Sequence, residues 1–263
     1  MHKVRPPAVA GMFYPGDAAV LRRDVLAMLE AARTEPLTPK AIIAPHAGYI
    51  YSGPVAATAY ALLAPLRGRI KRVVLLGPVH RVWVAGLALP GVEAFDTPLG
   101  RVELDQAAIA ELAALPQVET SVNAHAMEHS LEVQLPFLQA VLGEFKLVPL
   151  AVGGASAQQV AEVLDTLWGG DDTLIVVSSD LSHFLPYDEA RQADAGTADA
   201  ILHLRSDLVG EMACGCHPVN GLMLAARKKG LKPHLLDLRN SGDTAGDRSR
   251  VVGYGAFAFT EED

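Results

Sequence analysis

The sequence has few cysteines, no long apolar run and no apolar segment at its start. It contains two cysteines, Cys214 and Cys216, separated by one glycine. Neighbours this close would form a strained disulfide, so we expect both thiols to be reduced, as in the cytoplasm. No run approaches the roughly 20 apolar residues that span a bilayer, and residues 1–7 lack the apolar core of a signal peptide. These absences predict a cytoplasmic protein that does not bind membranes.

Basic residues are in the minority, and they are not clustered. The chain has 22 lysines and arginines against 30 aspartates and glutamates, for a net charge of -8. Nucleic acids and anionic membranes bind basic patches, so neither is an expected partner. The phosphate-binding loop, the dinucleotide-binding glycine motif and the serine elbow of hydrolases are also absent. The enzyme classes that depend on these motifs therefore have no support in the sequence.

What the sequence does contain is an alternation of apolar strands and amphipathic helices. Continuous runs rich in β-branched residues are typical of strands covered on both faces, and they occupy residues 41–44, 72–76, 146–150 and 173–177. Helical spacing occupies residues 17–33, 106–115, 132–142, 157–167, 188–204 and 218–229. Asp17 is the expected N-cap of the first helix, and residues 250–262 predict a closing strand.

The order of these elements predicts the class of fold. Strands that alternate with helices form layered α/β/α domains. No linker rich in proline, glycine or serine divides the chain, and no internal repeat is present. We therefore predict a single domain over residues 1–263, with a central sheet that is mostly parallel or mixed.

Histidines follow three of the predicted strands. His46 follows the strand at 41–44, His80 the strand at 72–76 and His183 the strand at 173–177. Ligands of open α/β sheets bind beyond the carboxyl ends of the strands, so these histidines are expected to share a site. Two neutral imidazoles and one anionic ligand are typical of non-haem ferrous centres. Here the anionic ligand is either a cysteine thiolate or Asp180.

Two further polar segments precede predicted helices. Glu128 and His129 lie ahead of the helix at 132–142, and Cys214 lies ahead of the helix at 218–229. The N-terminus of a helix lowers the pKa of a nearby thiol, which favours a cysteine ligand or nucleophile. Glu128 is placed to orient His129 or another ligand, and a histidine off the metal is the natural acid or base. Catalysis, metal carriage and purely structural histidines all remain open at this point.

Seven blocks, taken together, resemble the Memo family. In family order they are VRPPAVAGMFYP at 4–15, APHAGY at 44–49, GPVH at 77–80, EHSLE at 128–132, SSDLSH at 178–183, CGCHP at 214–218 and VVGY at 251–254. In bacteria and archaea such proteins are known as protein B of the AmmeMemoRadiSam system. The resemblance therefore implies an AMMECR1-like protein and a radical-SAM protein as functional partners.

The resemblance also implies a fold similar to the catalytic subunits of class III extradiol dioxygenases. These are non-haem ferrous enzymes that open catechol-type rings. By position, the resemblance implies that His46, His80 and Cys214 are the metal ligands. The Cys214 thiolate then stands where the dioxygenases use a carboxylate. Fe²⁺ is the favoured metal, and copper and zinc are the alternatives.

The remaining roles implied by the resemblance concern a pocket for a small aromatic substrate or a peptide. His183 matches the acid–base histidine of the dioxygenases, and Asp180 is assigned to catalysis with it. Glu128 and His129 are assigned to substrate binding.

The sequence departs from the family pattern at two positions. Arg81 stands where relatives often have a second histidine, and Cys216 adds a thiol that could replace Cys214 as the ligand. With a thiolate in place of the carboxylate, two hypotheses stand. One is an oxidoreductase, and the other is a non-enzymatic scaffold that binds a metal or a peptide.

Overall fold

A computed structural model describes residues 3–261, and a mixed sheet of nine strands runs through it. A smaller sheet of three strands lies apart from it. The strands are β1 (Val4–Arg5), β2 (Pro39–Ala44), β3 (Arg72–Pro78), β4 (Leu87–Leu89), β5 (Ala94–Thr97), β6 (Gly100–Glu103), β7 (Val118–Thr120), β8 (Lys146–Val152), β9 (Thr173–Ser178), β10 (His183–Leu185), β11 (Lys232–Asn240) and β12 (Val251–Thr260).

The centre of the large sheet consists of four parallel strands in the order β2, β9, β3 and β8. On one side, β12 pairs antiparallel with β2 and also with β10 and β11. On the other side, β4 pairs antiparallel with β8 and parallel with β7. The small sheet has the order β1, β5, β6. Each of the four apolar runs singled out in the sequence lies in one of the four central strands.

The helices lie on both faces of this sheet. They are α1 (Ala18–Ala31), α2 (Tyr49–Tyr60), α3 (Gln106–Leu112), α4 (Val122–Ala126), α5 (His129–Glu132), α6 (Leu135–Leu142), α7 (Ala157–Thr166), α8 (Tyr187–Leu202), α9 (Cys216–Lys229) and α10 (Ser241–Thr244), and a 3₁₀ helix spans Ala61–Leu66. Among the residues that the structure describes, no helix is long and apolar enough to cross a membrane.

Successive strand residues point into two separate hydrophobic clusters, one on each face of the sheet. In β2, Ile42 packs into the cluster that includes Leu21 of α1, whereas Ile43 packs into the cluster that includes Val160 of α7. Both strand residues are completely buried. Burial on both faces explains why the strands are continuous apolar runs, and the predicted layered α/β/α class is confirmed.

Local signals set several helix boundaries. The Asp17 side chain accepts a hydrogen bond from the Val20 amide, so the predicted N-cap of α1 is confirmed. The helix predicted at 132–142 is instead two helices, α5 and α6, because Pro136 starts a new helix after a break at Gln134. The closing strand ends at Thr260, and Glu262 of the predicted range lies outside the described residues. The single domain remains a prediction.

Candidate metal centre

Three histidine rings meet beyond the carboxyl ends of the central strands. His46 follows β2, His80 follows β3 and His129 is the first residue of α5. One nitrogen from each ring belongs to a group of ligand atoms that all lie within 4.8 Å of one another. The ring centroids are 4.6 to 5.4 Å apart. β2 and β3 both pair with β9 in parallel, so their ends reach the same edge of the sheet.

His46 is the deepest of the three. Its backbone amide donates to Asp180 Oδ1 at 2.8 Å, and its Nδ1 lies 2.9 Å from Ser178 Oγ. Its Nε2 faces the cluster, 3.3 Å from Cys214 Sγ. Burial, assisted by the neighbouring His80, lowers the pKa of His46 to about 3. The ring is therefore neutral near pH 7, as a metal ligand must be.

His80 is oriented by a buried carboxylate. Its Nδ1 lies 2.8 Å from Glu128 Oε1, and its backbone amide donates to Oε2 at 2.6 Å. Burial alone would raise the pKa of Glu128, but the hydrogen bonds from His80 and Ser130 outweigh it and lower the pKa to about 2. An ionised carboxylate only accepts, so the Nδ1 of His80 carries the hydrogen and Nε2 is free to bind a metal.

His129 completes the group from a different element. Its ring packs on Phe13 with the centroids 4.6 Å apart, and its Nδ1 lies 3.6 Å from Glu128 Oε1. Burial first, and then the nearby His46 and His80, lower the pKa of His129 to about 4. A residue assigned to substrate binding by the family resemblance thus lies within reach of a metal held by the other two histidines.

A buried ion pair fixes the helix that carries His129. Glu132 accepts hydrogen bonds from Arg5 Nη1 at 2.8 Å, Tyr14 Oη at 2.7 Å and the Ala8 amide at 2.8 Å. Arg5 in turn donates from Nη2 to the Glu128 carbonyl at 2.7 Å. The side chains of Arg5 and Glu132 are both buried and hydrogen-bonded, so their ion pair anchors α5 to the N-terminal segment.

The thiol of Cys214 lies beside His46, and Cys216 does not. The Asp180 amide donates to Cys214 Sγ at 3.4 Å, whereas Cys216 is buried in the hydrophobic cluster on the α7 face. The expectation of a lowered thiol pKa is wrong. Burial raises the pKa of both thiols, and the nearby carboxylate of Asp180 raises that of Cys214 further. Desolvation outweighs the helix terminus, so Cys214 is a neutral thiol until a cation replaces its proton.

His183 and Asp180 lie close to the histidine cluster. The ring of His183 contacts the Leu181 carbonyl at 2.9 Å through Nδ1, and a carbonyl only accepts. Nδ1 of His183 therefore carries a hydrogen, and in the neutral ring Nε2 holds the lone pair. His183 affects the pKa values of His46 and Asp180. Burial raises the pKa of Asp180, and the hydrogen bond from the His46 amide opposes this.

The donor atoms of this cluster fit a transition metal. Three imidazoles and one thiol offer nitrogen and sulfur donors, which suit iron, copper or zinc. Mg²⁺ and Ca²⁺ prefer sites built from oxygen ligands. The fold and the cluster together define an α/β protein with a candidate transition-metal centre at the carboxyl edge of a parallel sheet.

Comparison with known proteins identifies the family of this chain. The profile of the family described as Memo-like protein matches residues 5–258. A MEMO1 family protein of Ignicoccus hospitalis is 38% identical, covering 97% of this chain and 98% of its own. A MEMO1 family protein of Aquifex aeolicus is 38% identical, covering 98% and 99%. The chain belongs to the Memo family.

A solved structure also shares the fold. The crystal structure of an uncharacterized protein from Escherichia coli K12 matches with a TM-score of 0.51 and 14% sequence identity. The match covers 81% of this chain and 98% of the other. At this identity the likeness concerns the fold alone.

Proposed function

We propose that the protein is a metal-dependent oxidoreductase resembling class III extradiol dioxygenases, with Fe²⁺ as its metal and copper or zinc as alternatives. The observation that carries the proposal is the convergence of nitrogen and sulfur donors at one place. The ligand nitrogens of three histidines lie within 4.8 Å of one another, and Cys214 Sγ lies 3.3 Å from Nε2 of one of them, His46. A cytoplasmic location belongs to the same proposal, because ferrous iron and free thiols persist in a reducing compartment.

We take Cys214 as the third ligand and His129 as a neighbour. Cys214 Sγ lies 3.3 Å from the Nε2 of His46, so one cation can contact both atoms after small movements. A thiolate also supplies a negative charge that a third imidazole lacks. This choice leaves His129 facing the open side of the centre, where it can contact a substrate.

The other residues then have separate tasks. Bound ferrous iron supplies the redox chemistry that lets oxygen react with an aromatic ring. His183 accepts the proton of a phenolic substrate at Nε2, since its Nδ1 is committed to the Leu181 carbonyl. Asp180 holds the backbone of His46 in place, and Glu128 holds the ring of His80.

Metal content measured by mass spectrometry on protein prepared without air tests the proposal. We expect one iron per chain in the wild type, and its loss in His46→Ala, His80→Ala and Cys214→Ser. His129→Ala and the exposed control His203→Ala should retain it. Oxygen uptake with a panel of catechols follows. No metal in the wild type after ferrous reconstitution would contradict the metal centre.

A non-enzymatic scaffold is the second candidate, and exposed apolar side chains near the site favour it. Trp83 and Phe184 follow His80 and His183 closely, and Met127 precedes Glu128; these three are 76%, 58% and 52% exposed. Exposed apolar side chains of this kind fit a peptide or a protein partner, the AMMECR1-like and radical-SAM proteins first. The test is the binding of either purified partner to variants of this protein. Binding that persists in His46→Ala and is lost in Trp83→Ser would support the scaffold.

A further inference from the structure

One buried hydroxyl next to the centre has every hydrogen-bonding position filled. Ser178 is the last residue of β9 and is completely buried. Its Oγ lies 2.6 Å from the Ser130 carbonyl, 2.8 Å from Gln134 Nε2 and 2.9 Å from His46 Nδ1. A hydroxyl offers one hydrogen and two lone pairs, so these three contacts use all of them.

The chemistry of the three partners determines which of them accepts the hydroxyl hydrogen of Ser178. The Ser130 carbonyl only accepts, so the hydrogen of Ser178 lies there; without it, two oxygens would face each other at 2.6 Å. The amide nitrogen of Gln134 only donates, so it uses one lone pair. The second lone pair faces His46, and the hydrogen in that contact must therefore belong to Nδ1 of the imidazole.

The amide of Gln134 has one acceptable orientation. Its Nε2 also donates to the Pro45 carbonyl at 3.0 Å, and its Oε1 accepts from Tyr60 Oη at 2.6 Å. A flipped amide would place its oxygen against the Pro45 carbonyl and against a hydroxyl whose hydrogen is already used. Gln134 lies at the break between α5 and α6 and is itself buried, so this arrangement is held by both the helices and the strand ends.

We propose that Ser178 and Gln134 are positioning residues that hold His46 in the Nδ1–H tautomer and so present its bare Nε2 to the metal. The proposal rests on the proposed function, since it explains how one ligand of that centre is prepared before the metal arrives. His80 is prepared differently, by the carboxylate of Glu128. A histidine whose other nitrogen is committed to a fixed acceptor is the usual arrangement around protein metals.

The tautomer can be read in metal-free protein by long-range proton–nitrogen NMR after ¹⁵N-histidine labelling. The signal of His46 is assigned as the one lost in His46→Gln. We expect a protonated Nδ1 and an unprotonated Nε2 in the wild type. Ser178→Ala removes the acceptor of the Nδ1 hydrogen, so we expect the Nε2–H form to gain population and the affinity for Zn²⁺ to fall about 10- to 100-fold.

Three further variants separate positioning from general damage. Ser178→Thr keeps the hydroxyl and should keep the tautomer and the affinity close to those of the wild type. Gln134→Met removes one donor to Ser178 and should give an intermediate result. Thr58→Val removes a different buried hydroxyl, which donates to the Val55 carbonyl within α2, and should change neither quantity.

The outcomes distinguish this inference from the proposed function. An Nε2–H tautomer in the wild type overturns the inference without any variant, even if Ser178→Ala does not fold. An unchanged tautomer and unchanged Zn²⁺ affinity in Ser178→Ala also overturn it, and the metal centre then stands. The expected tautomer in a wild type that binds neither iron nor Zn²⁺ supports the assignment of the hydrogen and contradicts the metal centre.

Discussion

At the scale of single residues, two different acceptors orient the two histidines at the strand ends. A neutral hydroxyl, Ser178, holds His46, and an ionised carboxylate, Glu128, holds His80. A carboxylate makes its imidazole a stronger ligand than a hydroxyl does. Glu128 is therefore expected to strengthen metal binding by His80 more than Ser178 strengthens metal binding by His46.

Replacing Glu128 by glutamine tests the role of its charge. Glu128→Gln keeps the shape of the side chain but removes the anion that accepts from His80 Nδ1. We expect the affinity for Zn²⁺, measured by competition with a chelator, to fall about 10- to 100-fold. Glu119→Gln, at an exposed position in β7, is the matched control and should bind as the wild type does. Equal Zn²⁺ affinities in the two variants would show that the charge of Glu128 does not contribute to metal binding.

His125 makes stability depend on pH. Burial lowers the pKa of His125 to about 4, whereas an unfolded histidine titrates near 6.5. As pH falls from about 6.5 to 4, the unfolded chain takes up a proton that the folded chain does not, so the free energy of unfolding decreases. In urea unfolding at pH 7.5 and 5.5, His125→Gln should lose less stability at the lower pH than the wild type. The exposed control His203→Gln should lose as much stability between the two pH values as the wild type does. An equal loss in His125→Gln would contradict the prediction.

Single residues also show what the sequence could predict about the site. His46 and His80 were visible because each follows a continuous apolar strand. The sequence also singles out His129 as a residue of the site. Its approach to the other two rings is not visible there, because it depends on the pair between Arg5 and Glu132, residues 127 positions apart. The pKa of Cys214 was predicted in the wrong direction, because the number of atoms that bury a thiol is not visible in the sequence.

At the scale of secondary-structure elements, α9 packs on α7 without room for a side chain at one position. A Cβ added at Gly221 would lie 2.2 Å from Val160 Cγ1 and 2.3 Å from Val160 Cβ. These atoms belong to a β-branched residue in the middle of a helix, so they cannot swing away. The loop that carries Cys214 leads directly into α9, so this contact also sets where the thiol lies.

Gly221→Ala should therefore destabilise the protein. We expect a loss of about 1–3 kcal/mol in the free energy of unfolding, measured in urea, because the added methyl group forces α7 and α9 apart. Gly196→Ala is the control, because Gly196 lies in α8 with no atom within 4 Å of an added Cβ. It should gain roughly 0.5–1 kcal/mol from helix propensity. A gain in both variants would show that the two helices can separate freely.

The N-terminal segment and α5 are joined by the buried pair of Arg5 and Glu132. Arg5→Met leaves the carboxylate buried without its cation, so we expect a loss of about 3–5 kcal/mol in urea unfolding. Arg23→Met breaks an exposed pair with Asp24 and should cost less than about 1 kcal/mol. Similar losses in the two variants would mean that water reaches Glu132 in the folded protein.

The central strands were predictable, whereas elements such as α2 and β11 were not. Strands β2, β3, β8 and β9 are buried on both faces, which leaves a continuous β-branched signature. Helix α2 has Gly53 and Pro54 in its interior, residues that usually end a helix. β11 is only partly buried and contains Pro233, so its sequence lacks the continuous apolar pattern of a buried strand. Both elements form because the partners on either side supply the packing that their own sequences do not favour.

At the scale of the whole molecule, a metal that binds only the folded chain must stabilise it. The proposed ligands come from the ends of β2 and β3 and from the loop ahead of α9, which an unfolded chain does not bring together. With Zn²⁺ at 100 times its dissociation constant, we expect about 2.7 kcal/mol of added stability and a higher Tm. His46→Ala should show no such rise. An equal rise in His46→Ala would place the binding elsewhere.

The position of β12 in the sheet has a consequence for how the protein is made. This strand pairs with β2, β10 and β11, yet the ribosome adds its residues after all three of those partners. Until residues 251–260 emerge, β2 keeps one row of unpaired backbone groups, which is a template for pairing with another chain. The large sheet is therefore completed only after β12 has been made. A nascent chain interrupted before that point exposes the unpaired edge of β2, whose residues Ile42 and Ile43 are completely buried in the folded protein.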